Sequence, residues 1–204
     1  MPSKDQILFI GGGMSFGGRV KMENYFKNLD IDVKWGKSWK DWLAWTLEDT
    51  FEFIKFEQPV AENADYGIWK IVFEKYFAKF NNKDLIIISH SLGTIFIIKY
   101  LVENGFIKKI KQLHLVAPIV SDDFLPENEV EQTGTFTFDI SKISDVRKCV
   151  EQIHVWHSTD DAMCMYQNAE YIKEQISESK LHTFQDRGHF IQSTFFELFD
   201  VLRK

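Results

Sequence analysis

Cysteine is scarce in this chain: Cys149 and Cys164 are its only two among 204 residues. Two thiols cannot build a disulfide framework, and these do not stand in the CxxC spacing of a redox or zinc site. A reducing compartment, the cytoplasm, is the expected address. Four prolines and 11 glycines are too few for a fibrous or disordered chain. No uncharged apolar run reaches the ~18 residues of a membrane span, and the run at residues 7–10 is too short for a secretion signal and is stopped by three glycines. Positive charge is also in short supply, since 24 Lys plus Arg against 30 Asp plus Glu leave a net −6. That balance argues against a protein that grips nucleic acid, which needs a concentrated basic surface. His90, His114, His154, His157 and His182 show no metal-ligand spacing, so neither a metal nor a cofactor is expected.

What is present is an ordinary globular balance, 45% apolar and 26% charged. A chain of this length buries about 70% of its extended surface, enough for one domain over residues 1–204, with no internal repeat or linker. Short apolar runs at residues 7–10, 31–35, 51–56, 85–88, 113–117, 153–156 and 180–185 read as strands. Between them lie helical patterns at residues 18–28, 38–50, 64–80, 94–104, 162–177 and 195–202. Residues 119–148 are irregular, with a brief extended piece at TFTFD. Near-continuous apolar strands alternating with helices predict a three-layer α/β domain with a doubly wound, mainly parallel sheet. Trp35, Trp39, Trp42, Trp45 and Trp69 fall at helical or strand spacing and are expected mostly in the core.

The chemistry centres on Ser89-His90-Ser91-Leu92-Gly93, directly after the purest buried strand and directly before a helix. Its small-x-Ser-x-Gly form is that of a nucleophile elbow, although Ser89 stands where glycine is usual. The Leu92 amide at the helix start would face a negative oxygen forming on a bound carbonyl. A lone serine is a poor nucleophile, so an imidazole must come from elsewhere. His157-Ser158-Thr159-Asp160-Asp161 follows one strand and Asp186-Arg187-Gly188-His189-Phe190 another. Acid and base candidates therefore share the carboxyl edge of the sheet with Ser91. Asp160 and Asp161 point in different directions as neighbours, so one should reach His189 and the other should cap the following helix.

Taken together, FIGGG at the first strand, the tryptophan-bearing helix and Pro59 segment, ISHSLG, LHLVAP, STDD and DRGHF resemble the α/β-hydrolase superfamily over essentially the whole chain. The likeness is closer to its small, nearly capless serine hydrolase branch, which includes the retinoblastoma-binding-protein type and the YdeN type. The resemblance implies an α/β-hydrolase fold with a minimal cap, Ser91 as nucleophile and His189 as base. It assigns the acid to Asp161, the second aspartate of STDD, with Asp160 the alternative; Ala162 and Met165 replace the branch's prolines. It further implies an oxyanion hole from the amide of Leu92 and one of Gly12 or Gly13, and acyl transfer from a small ester or thioester to water.

Two other classes stand beside this one. A binding protein on a hydrolase scaffold, with a protein partner, would keep the fold without the chemistry. A nicotinamide-dependent oxidoreductase would use Gly11-x-Gly13-x-x-x-Gly17 as a phosphate loop with Asp30 or Asp32 on the ribose, but that spacing is one residue longer than the usual fingerprint.

Overall fold

Apolar runs become parallel strands wherever a helix can carry the chain back across the sheet. The computed structural model describes residues 3–16, 18–28, 38–81, 83–124 and 133–204. Among these are six strands, β1 Asp5–Ile10, β2 Phe51–Phe56, β3 Leu85–His90, β4 Ile110–Val116, β5 Val150–Ser158 and β6 Lys180–Phe184. They form one sheet in the order β2-β1-β3-β4-β5-β6, and every neighbouring pair is parallel. The helices are α1 Arg19–Asn28, α2 Trp39–Thr46, α3 Tyr66–Lys75, α4 Leu92–Asn104, α5 Gln167–Gln175 and α6 Phe196–Leu202.

Side-chain alternation sends each strand's residues to two separate cores. Leu8, Ile87, Leu113, Leu115 and Val155 pack with α3, α4 and α5 around Trp69, Phe73 and Phe96. Ile7, Ile86, Ile88, Val116 and Trp156 pack on the other face with Trp39, Leu43 and Leu198 of α2 and α6. β3 is buried along its whole length, as expected of a strand with neighbours on both sides and helices on both faces. The chain leaves β1 towards β2 in one direction and β3 to β6 in the other, so the ends of β1 and β3 meet at the point where the winding reverses. Ligands of open α/β sheets bind at that crevice.

Several expectations are corrected at element ends. The helix read over residues 64–80 is α3, begun by the Asp65 carboxylate accepting from Ile68 N at 2.9 Å, and it tightens to a 3-10 turn at Tyr76–Lys79. Ile68, assigned to its apolar face, is 48% exposed while Trp69 and Phe73 are buried. TFTFD forms no strand: its first two residues belong to a 3-10 turn at Gly134–Phe136, with Gly134 at φ 48, and extended backbone is kept only towards Asp139. A nine-residue 3-10 helix follows at Ile140–Lys148 and buries Ile143 and Val146 against the core. The region therefore contributes core rather than a separate cap. The helix read from residue 162 begins only at Gln167. The strand expected at residues 31–35, with Trp35, Asp30, Asp32 and Gly17, lies outside the described residues. Among the described residues no helix is long and apolar enough to cross a membrane.

Candidate active site

Ser91 is held at φ 55 and ψ −129 between β3 and α4. A positive φ is costly for a residue with a Cβ, and the surroundings enforce it. Ser91 N donates to Val116 O of β4 at 3.0 Å. Thr94 Oγ1 donates to Ser91 O at 2.7 Å and accepts from Ile119 N at 3.0 Å. Gly93 is obligatory, because a Cβ there would lie 2.4 Å from Gly11 O and 2.8 Å from Ile10 O. Ser89, at the motif's usual glycine, is fully buried and donates its hydroxyl to His114 O at 3.1 Å. That partner is what makes a serine tolerable at the elbow's first position.

Leu92 is the first residue of α4, so its N–H has no partner within the helix. Gly12 runs against the serine: a Cβ on it would stand 3.0 Å from Ser91 Cβ and 3.5 Å from Ser91 Oγ. Gly13 instead faces Ala61 O and the Trp69 ring. The glycine loop weighed as a dinucleotide cradle is thus packed on the elbow at Gly12.

On the neighbouring strand ends, His189 Nδ1 and Asp161 Oδ2 are 2.9 Å apart. The other carboxylate oxygen of Asp161 accepts from Met163 N at 2.8 Å and Cys164 N at 3.0 Å. His157 Nε2 donates to Cys164 O at 2.8 Å and lies 3.5 Å from Asp161 Oδ2. Burial opposes the Asp161 charge, but the nearby His157 ring N–H, the hydrogen bond and charge of His189 and the Cys164 amide outweigh it. They hold the carboxyl well below the usual carboxylate range. Asp161 stays ionised at neutral pH. No hydrogen bond joins the Ser91 hydroxyl to the His189 ring among the described residues; such contacts often tighten only when substrate is bound.

Asp160 is not a helix cap, which corrects the division of labour expected for the two aspartates. Because α5 starts late, Asp161 itself satisfies the turn amides. Asp160 Oδ1 instead accepts from the Ser158 hydroxyl and, at 2.9 Å, from Gly188 N. Ser158 Oγ in turn accepts from Arg187 N at 3.1 Å. The hydrogen bonds from Ser158 and Gly188 pull the Asp160 carboxyl below its ordinary value.

The residue before the elbow also has a defined task. His90 Nε2 donates to His189 O at 2.9 Å, and burial holds the ring neutral, with the Lys40 and His189 charges adding to the effect. From α2, Trp39 Nε1 donates to Phe190 O at 2.8 Å and Trp39 N to Gln192 O at 3.1 Å. The backbone of Gly188, His189 and Phe190 is therefore tied to the β5 loop, β3 and α2 respectively. Gly188 and Phe190 have φ of 49 and 54 on either side of the imidazole, a bent loop that these ties hold in place.

Among the described residues no group of His, Cys, Asp and Glu is arranged to hold a metal. No disulfide joins Cys149 and Cys164.

A family model described as "Serine hydrolase" matches residues 35–202. The chain is similar to the ydeN gene product of B. subtilis, at 20% identity and a TM-score of 0.73, covering 98% of this chain and 97% of that one. It is also similar to a lipase-esterase related protein of Clostridium acetobutylicum, at 12% identity and TM-score 0.64 over 99% and 94% of the two chains. Est1E of Butyrivibrio proteoclasticus matches at 14% identity and TM-score 0.64 over 99% and 87%.

Proposed function

Because the chain belongs to the serine hydrolase family, we propose that Ser91, His189 and Asp161 are its nucleophile, base and acid, acting on carboxylic esters or thioesters of small molecules. The observation that carries this assignment is the 2.9 Å Asp161–His189 contact on the same sheet edge as the Ser91 elbow. In this reading His189 Nε2 takes the hydroxyl proton of Ser91 as Oγ attacks the acyl carbon. Asp161 keeps the Nδ1–H tautomer aligned and stabilises the imidazolium. The amides of Leu92 and Gly12 donate to the carbonyl oxygen as it becomes negative. His189 then protonates the departing alcohol or thiol, the acyl group stays on Oγ, and a water deprotonated by His189 releases the acid. Cysteine usage supports a reducing compartment, the cytoplasm, as the place of the reaction.

A fluorophosphonate probe with peptide mapping tests the assignment. Label is expected on the peptide carrying Ser91, absent in Ser91→Ala and strongly slowed in His189→Ala. Labelling of Ser91→Ala at the full rate would overturn it.

A further inference from the structure

A cavity of about 390 Å³ opens beside the Gly11–Gly12 loop, between α2 and the β1–β2 end of the sheet. Its walls near the sheet are apolar, formed by Phe9, Trp39, Leu43 and Phe53. Gly12 is shared between this cavity and the elbow, since it also lies against Ser91. Trp39 is shared between the cavity and the His189 loop through its bond to Phe190 O. The space therefore adjoins the proposed reacting atoms, and its size is at the small end for organic ligands.

Its chemistry is set by Lys40. Lys40 is half-buried, its ammonium 5.2 Å from the Phe9 ring centroid and 5.7 Å from that of Trp39. Among the described residues it makes no hydrogen bond and no ion pair. Aromatic faces attract a cation but give it no hydrogen-bond acceptor. Lys55 lines the same cavity and adds a second positive charge, partly answered by Glu57 at 3.2 Å. Asp41 is the opposing carboxylate there, and its Oδ2 already accepts from Ser38 Oγ at 2.6 Å. An ammonium partly withdrawn from water without an acceptor gains most from a ligand that brings an anion. Burial lowers the affinity of Lys40 for its proton, Asp41 acts in the opposite sense, and the nearby Lys55 adds to the lowering.

We propose that this cavity takes the acyl portion of an ester that ends in a carboxylate, with Lys40 as the counter-ion that selects it. The apolar wall suits the methylenes between the two carboxyl carbons, and Lys40 lines the same small cavity. The inference rests on the reading of Ser91 as nucleophile and narrows its substrates to half-esters of short dicarboxylic acids.

The test compares kcat/KM for p-nitrophenyl hydrogen glutarate and its methyl-capped neutral counterpart. The wild-type protein should favour the acid by at least tenfold, with the preference shrinking as ionic strength rises. Lys40→Met should reduce the ratio at least tenfold, mainly through KM for the acid, and Lys40→Arg should restore most of it. If the wild type labels at Ser91 and turns over the neutral ester but shows no preference, or if the preference survives in Lys40→Met, the Lys40 site is overturned while the Ser91 assignment stands. If the wild type neither labels nor turns over either ester, the Ser91 assignment fails and this inference falls with it.

Discussion

Single atoms hold the His189 loop, and each can be removed without touching the imidazole. Trp39→Phe keeps a ring against Phe9 and Phe195 but deletes the donor to Phe190 O. It should cost about 1–3 kcal/mol for the orphaned carbonyl and slow ester hydrolysis roughly tenfold through looser positioning; urea denaturation and kcat measure the two. Asp160→Ala releases Gly188 N and the Ser158 hydroxyl together and should slow hydrolysis by about 10- to 100-fold, chiefly in kcat. Asp161→Asn should lower the rate by roughly 10³ to 10⁴ with the fold intact by circular dichroism, as for a misoriented triad imidazole. A larger loss in Asp160→Ala than in Asp161→Asn would exchange their roles. Ser91, His189 and the Asp160–Asp161 pair stand out in the sequence as candidates because each follows an apolar strand run and strand ends share one edge, whereas the choice of Asp161 came from the family resemblance alone. The loop's supports could not, because Trp39 and Phe190 are 151 positions apart and nothing local to either signals the other.

At the level of elements, close approach and stacking set the predictions. The strand β3, the elbow and α4 meet β1 so closely that Gly93→Ala forces a Cβ to within 2.4 Å of the Gly11 carbonyl. Because the obstruction is backbone, the loss should be roughly 3 kcal/mol, read as a lower urea midpoint with unchanged m. Across β4, β5 and β6 three histidines and a tryptophan share one face. His114 and His154 rings stack at 4.7 Å, and Trp156 and His182 at 3.7 Å. Trp156 Nε1 donates to His114 Nδ1, and His154 Nδ1 is 3.1 Å from His182 Nε2. Burial, then the neighbouring His182 and Lys180 charges, lowers His154 to about 4, and burial also lowers His114 and His182. A depressed pKa means the unfolded chain binds protons first as pH falls. The stabilisation is therefore complete above the ordinary histidine value of about 6.5 and is lost as pH falls from there towards about 4. Discounted for partial solvent access, the loss is about 1 kcal/mol, or roughly 2–4 °C in Tm. His154→Gln should flatten that slope in calorimetry, and an unchanged slope would contradict the assignment to this stack. Strands were legible here because apolar runs bounded by Gly, Pro or Asn have few alternatives. The Ile140–Lys148 helix was not, because its apolar residues Ile140, Ile143 and Val146 recur every three positions, the period of a 3-10 helix and not of an α-helix or a strand.

For the whole molecule, the alternation of strand and helix made the three-layer parallel architecture readable, since parallel neighbours require crossovers. The strand order was less readable than the strand count, because pairing β1 with both β2 and β3 is a tertiary choice between similar apolar edges. That order has a cost in time. β1 cannot acquire its second neighbour until β3 has been brought in, and the His90–His189 tie closes across 99 positions. Non-local closures of this kind come late and slowly. On dilution from denaturant, far-UV circular dichroism should return before fluorophosphonate reactivity at the serine; simultaneous recovery would contradict this order. If His189 is the base proposed above, the refolding chain has its helices and strands but no reactive serine until the His189 loop docks, and its chemistry is silent through the period when its sheet edges are most open to misassembly.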